Sequence, residues 1–198
     1  MARDSAATRK ALLDAAVHEF AEFGLAGARV DRVARRAGVN KERIYSNFGD
    51  KEGLFAEVLS VELARLAAAV PLSVPEGTYS LGNYAADVFD YHRTHPHLLR
   101  LLHWEALEAS EGTAANDEDR RRGYSEKVAA LREAQRTGRL PESPDGALLL
   151  YAVVALAAWW HAVPQVARMM LGPLADDPRA QRDELVRLVD RLTKPADR

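Results

Sequence analysis

The residues best placed to recognise something cluster near the N-terminus. Lys41, Glu42 and Arg43 follow directly on Asn40, Tyr45, Asn47 and Lys51 come shortly after, and Arg29 stands ahead of them. Arg or Lys can pair with O6 and N7 of guanine, and Glu can accept from N4 of cytosine. A tyrosine offers a hydroxyl on a flat ring, suited to a phosphate beside a groove. A lysine at a helix start adds its charge to free N–H groups that already favour an anion. Together these types describe the reading of double-stranded DNA, with 41–43 as base readers and Arg29, Tyr45 and Lys51 as phosphate contacts. Asn40 and Asn47 are further candidates at the two ends of the same short segment. Arg35 and Arg36, taken alone, read as an ordinary solvated face.

The elements that must carry these side chains are short helices. A first helix, with Ser5 or Thr8 as its cap, repeats Leu12, Leu13, Ala16, Val17, Phe20 and Phe23 at helical spacing and stops at Gly24. A second runs over Val30 to Ala37, with Val30, Val33, Ala34 and Ala37 on one face, and stops at Gly38. Asn40 caps a third through about Asn47, and Asp50 caps a fourth whose stripe is Leu54, Phe55, Val58, Leu59, Leu63 and Leu66. Ile44 and Phe48 anchor the third helix. Helix, glycine turn and helix at this spacing form a helix-turn-helix.

Composition excludes much else. The 198 residues include 35 Ala and 25 Leu, but only 16 Val, 6 Thr and 1 Ile, which favours helix over strand. Cysteine is absent, removing disulfides, thiolate metal sites and cysteine nucleophiles. No paired Glu and His at metal-binding helix spacing and no glycine-rich phosphate loop occurs, so a small helical-bundle enzyme is the weaker reading, and no cofactor is expected. The apolar stretch 147–160 is shorter than the ~20 residues a membrane span needs, so the sequence reads as a cytoplasmic protein. Net charge is only −2, yet residues 1–51 hold ten Lys/Arg against seven Asp/Glu, while 52–198 hold 17 against 22. The basic excess thus sits on the short helices, where affinity for phosphate is decided.

The segment VDRVARRAGVNKERIYSNFGDKEGLFAEVL, from Val30 to Leu59, resembles the DNA-binding domain of the tetracycline-repressor (TetR) family. Val33-Ala34, Ala37-Gly38-Val39, Asn40, the Tyr45 and Phe48 pair, Lys51 and Leu54 match in order. The resemblance implies an all-helical homodimer that binds a palindromic operator, acts as a repressor and is released by a small-molecule effector. It also implies phosphate contacts at Tyr45 and Lys51, with base reading at 41–43. Arg29 stands where the family usually has Thr, and Glu42 and Arg43 stand where a small residue and Thr are common, so a family-typical operator does not follow.

Beyond Pro71 longer helices are expected at about 79–94, 96–109, 117–137, 145–161 with a continuation towards 171, and 180–193, about nine helices in all. Pro75-Glu76-Gly77 reads as a linker and Glu111 to Gly123 as a mobile loop leading into a helix. The resulting division is a DNA-reading domain over 1–50 and a ligand-binding and dimerisation domain over 51–198. Leu149, Val153, Leu156 and Trp160 form one stripe of the 145–161 helix, and Leu148, Ala152, Ala155 and Trp159 form another. With Leu185, Leu188, Val189 and Leu192 of the last helix, the first stripe makes an expected four-helix dimer contact. Leu98 to Glu105, after His95-Pro96, resembles the regulatory domain of the same family more loosely. That resemblance implies a pocket lined by Tyr84, His103, Trp104, Tyr124 and Trp159. His92, His95, His97, His103 and His161 raise a metal-sensing alternative, but Pro96 interrupts their spacing and no metal site is expected.

Overall fold

The computed structural model describes residues 2–72, 80–108 and 117–194, with no strand among them. The helices are α1 (Ala2–Gly27), α2 (Val30–Ala37), α3 (Glu42–Phe48), α4 (Lys51–Ala69), α5 (Leu81–Thr94), α6 (Pro96–Glu108), α7 (Asp117–Arg136), α8 (Gly146–Ala162), α9 (Pro164–Leu171) and α10 (Pro178–Leu192), with a 3-10 turn over Gly172–Asp176. That is ten α-helices among the described residues, where about nine are expected. The extra one arises because Pro164, which has no N–H to donate, starts a separate helix, α9, bent 92° from α8. No single helix among the described residues is long and apolar enough to cross a membrane.

Several boundaries differ from the sequence reading. α1 begins at Ala2, so Ser5 and Thr8 lie inside it and neither is its cap. The N-cap of α3 is Lys41 rather than Asn40, and Asn40 contributes only its carbonyl, which accepts from Arg43 N–H at 3.2 Å. Residues 117–123 belong to α7, while Pro75-Glu76-Gly77 and residues 111–116 lie outside the described residues. Asp50 caps α4 as its type suggests, accepting from Gly53 N–H at 2.6 Å.

The chain forms two compact units: Met1–Leu66 with Pro96–Asp117, and Ala67–His95 with Glu118–Arg198. In the first, α1 lies against α2 and α6. Its core comprises Leu12, Ala16, Phe20, Val33, Ile44, Leu54, Leu59, Leu98 and Leu101, and Phe20 meets Phe55 edge to face at 5.1 Å. Gly24 breaks α1 at φ 67 and ψ −176, where α6 fills the space a side chain would need. There Arg100 Nε and Trp104 Nε1 donate to the Ala21 carbonyl at 2.6 and 3.4 Å. The Glu108 carboxylate takes the N–H of Leu25 at 2.7 Å and that of Ala26 at 3.2 Å. Glu62, 1% exposed, is not left as a lone buried charge: His97 Nε2 lies 2.8 Å away and Arg65 Nη1 2.5 Å away. Burial pushes the Glu62 carboxyl up, but these two partners outweigh it and hold it below its ordinary range.

In the second unit, α5 packs between α8 and α10. Arg182 of α10 pairs with Asp90 at 2.8 Å, and Asp190 accepts from Gly82 N–H at 3.2 Å. Phe89 lies 4.5 Å from the His161 ring and 6.3 Å from that of Trp160. Tyr84 is buried and its hydroxyl accepts from Lys127 Nζ at 3.2 Å; desolvation pushes that hydroxyl up to about 12, so it stays neutral.

Candidate nucleic-acid interface

α2 and α3 are short, so each depends on neighbours rather than on its own helical propensity. α2 is stopped by Gly38, whose φ of 70 and ψ of 26 are left-handed, and the Val39 N–H returns to the Ala34 carbonyl at 3.1 Å. Its start hangs on α1. Glu19, 8% exposed, accepts from Arg29 N–H at 2.8 Å and from Arg32 Nε at 2.6 Å, and Arg32 stacks on Phe23 at 4.3 Å. Burial pushes the Glu19 carboxyl up, and these donors overcompensate, leaving it below its ordinary range. Nothing in the local sequence marks Glu19 for this role, because the groups it holds lie ten and thirteen residues further along the chain.

α3 is fixed by one side chain facing inward. Ile44 is fully buried, whereas Lys41, Glu42, Arg43, Tyr45 and Ser46 are exposed. With Ile44 as its buried anchor and Asn47 and Phe48 half-buried at its end, the seven-residue helix presents its first turn outward. Lys41 lies 3.7 Å from the exposed Asp31, a weak surface pair. Arg29, Arg43 and Lys51 form no ion pair among the described residues, so their charge is available to a phosphate or a base edge. Tyr45 is 48% exposed despite its size. Asn47 departs from this pattern: its Nδ2 donates to the Arg43 carbonyl at 2.7 Å, which turns the amide back on α3. Seven of the eight candidate DNA contacts thus lie on α3 and its two flanks, from Asn40 to Lys51, with Asn47 alone of the seven turned back on the helix. Arg29 stands at the head of α2, with its main chain held by Glu19.

The chain matches the family model for bacterial regulatory proteins of the tetR family over residues 12–58, and the tetracyclin repressor-like C-terminal domain over residues 80–191. It belongs to the TetR family. A relative, the HTH-type transcriptional repressor SCO4008 of Streptomyces coelicolor, is 40% identical over 171 residues, covering 86% of this chain and 87% of that protein. The HTH-type transcriptional repressor NicS of Pseudomonas putida is 31% identical over 67% of this chain and 63% of its own length. Among solved structures, the putative transcriptional regulator SCO4942 of Streptomyces coelicolor superposes with a TM-score of 0.79 at 33% identity, over 94% of this chain and 98% of that one. The chain is therefore a TetR-family helix-turn-helix transcriptional regulator, and ligand-responsive repression is typical of that family.

The other candidates of this TetR-family chain are scattered. Of the five pocket residues, His103 and Trp104 lie in the first unit, where His103 is exposed and Trp104 is committed to α1. In the second unit Tyr84 is buried, whereas Tyr124 and Trp159 are 48% and 59% exposed and line different grooves. The histidines separate likewise: His97 pairs with Glu62, His95 stacks on Tyr91 at 4.1 Å, and His92 and His161 lie inside the second unit. No group of three or more His, Cys, Asp or Glu among the described residues is placed to hold a metal.

The eight dimer candidates divide by depth. Leu149, Val153, Leu185 and Val189 are buried within the chain itself. Leu188 and Leu192 are 46% and 54% exposed, and Leu156 and Trp160 are half-buried. The reason is the phase of α8. Its Leu149 side turns inward to α5, leaving Leu148 and Trp159 of the other stripe, and Tyr151 beside them, at the surface. An apolar groove of about 530 Å³ runs there, lined by Ala152, Ala155, Leu156, Trp159, Met170 and Leu188 among others.

Proposed function

We propose that the chain binds a palindromic operator in double-stranded DNA as a homodimer, represses transcription there, and is released by a small-molecule effector. Residues 1–50 read DNA and residues 51–198 carry sensing and pairing. The observation that carries the reading is the array on α3: three polar readers exposed on its first turn, with Tyr45 and Lys51 behind them and Ile44 holding the helix down. A two-fold would set two such helices about one DNA turn apart, the spacing that a palindrome mirrors.

The exposed stripes of α8 and α10 support self-pairing, since an apolar patch of this kind on a regulator is costly to leave in water. The partner-facing set is then Leu148, Tyr151, Leu156, Trp159, Trp160, Leu188 and Leu192. Replacing Leu188 and Leu192 together by Glu is expected to weaken the dimer by ~100-fold or more, because each charge would be buried without a partner. Sedimentation equilibrium reads this directly, and an undiminished dimer would remove α10 from the interface. Of the pocket candidates, Tyr84 offers a neutral buried hydroxyl in the second unit, with Lys127 beside it.

Selection of bound duplexes from a random pool tests the DNA reading, and recovery of no two-fold motif would count against it. On the motif recovered, Arg43→Ala is expected to relax base preference at one position per half-site, by about 1–3 kcal/mol. Lys51→Ala is expected to weaken all duplexes alike and to reduce the slope of log affinity against log salt by about 1. If Arg43→Ala leaves base preference intact, its assignment as a base reader is wrong.

A further inference from the structure

The C-terminal end of α3 is held by a side chain from a distant part of the sequence. Arg9, on α1, places its guanidinium carbon 4.7 Å from the centroid of the Phe48 ring. Its Nη1 donates to the Asn47 carbonyl at 3.4 Å, and its Nη2 meets Glu57 Oε1 of α4 at 2.5 Å. One planar group thus touches the last turn of α3 by its face and by its edge, while α4 fixes its orientation. The carbonyls of a last helical turn have no partners within the helix, and a cation there also opposes the negative end of the dipole. On the other side α4 comes close as well, since a Cβ at Gly53 would stand 2.2 Å from the Phe48 carbonyl oxygen. Apart from these contacts α3 has one buried side chain, Ile44, so its orientation depends heavily on what grips its end.

We propose that Arg9 is a positioning residue for DNA reading: held by Glu57, it clamps the Asn47–Phe48 end of α3 and so sets the angle at which Lys41, Glu42 and Arg43 are presented. The proposal rests on the DNA-binding reading of α3. A different role for Arg9, direct contact with a phosphate, predicts opposite results.

Positioning needs the fork and the flat face of a guanidinium, whereas a phosphate contact needs only charge. Arg9→Gln and Arg9→Lys are therefore both expected to weaken binding to a duplex selected by the wild-type protein, by about tenfold. In both, the slope of log affinity against log salt stays at the wild-type value, because no phosphate contact is lost. Glu57→Gln, which frees Arg9 from α4, is expected to weaken binding in the same direction and less. Amide hydrogen exchange on the protein alone supplies a readout without DNA. The N–H groups from Tyr45 to Gly49 exchange faster in Arg9→Gln and Glu57→Gln, while those of α1 around Phe20 keep wild-type protection and show that the fold is intact.

Three binding results would each overturn the proposal: full rescue by Arg9→Lys, a fall in salt slope for Arg9→Gln, or tighter binding by Glu57→Gln. Unchanged exchange in α3 with α1 protected would do the same. Should the wild-type protein select no duplex, the DNA reading fails, and the exchange comparison still decides whether Arg9 clamps α3.

Discussion

Lowering the pH from 6.5 towards 4 is expected to remove about 3 kcal/mol of stability from the second unit through one side chain, His92. His92 is 2% exposed in α5, and its Nδ1 has no hydrogen-bond partner among the described residues. Desolvation holds its imidazole down at about 4, with His161 and His95 adding in the same direction. His161, whose Nε2 also lacks a partner, is lowered mainly by its own burial. The sign follows from the depressed value. The neutral ring is favoured in the fold, so the unfolded chain takes up a proton first, near 6.5. Stability is complete above that pH and is lost as pH falls towards the folded value. The Arg132–Asp145 ion pair in the same unit does not share this window, since Arg132 and the Ala147 N–H hold Asp145 at about 2. Urea unfolding at several pH values, followed by the fluorescence of Trp159 and Trp160 in α8, measures the effect. His92→Leu should flatten the profile. A wild-type curve no steeper than that of the variant would show that His92 is not the group responsible.

Gly24→Ala is expected to cost about 3 kcal/mol in the first unit, the sum of a backbone and a steric contribution. With φ 67 and ψ −176, Gly24 occupies a region that side chains disfavour strongly. The new Cβ would also stand 2.7 Å from Trp104 and from Glu108 Oε1. Gly38→Ala separates the two causes. Gly38 has a left-handed φ of 70, but nothing lies within 4 Å of its added Cβ, so only the backbone cost of about 1 kcal/mol remains. Denaturant midpoints of the two variants should therefore differ clearly. Equal losses would mean that α6 yields without cost. Because Glu108 holds the Leu25 and Ala26 N–H groups just past the break, Gly24→Ala should also disturb the approach to α2 and weaken duplex binding.

Local chemistry was enough for the helical class, the helix-turn-helix and the polar face of α3. Ala and Leu in place of β-branched residues, Gly38 after Ala37, and Ile44 as one apolar residue amid Lys41, Glu42, Arg43 and Tyr45 each act within a turn or two of chain. Asp50 could be recognised as a cap because its bond reaches only to Gly53. Interactions between distant segments were not legible in this way. Glu19 under the start of α2, Arg9 at the end of α3 and Glu108 at the break of α1 are polar residues on amphipathic helices, indistinguishable by spacing from solvated ones. Their roles come from which element packs beside them. The same holds for α8, which is apolar around its circumference. Its sequence shows two stripes and demands burial of both, but the choice of Leu149 and Val153 for the chain's own core belongs to the packing of α5. Helical periodicity gives each face its character, and only the tertiary arrangement decides which neighbour that face meets.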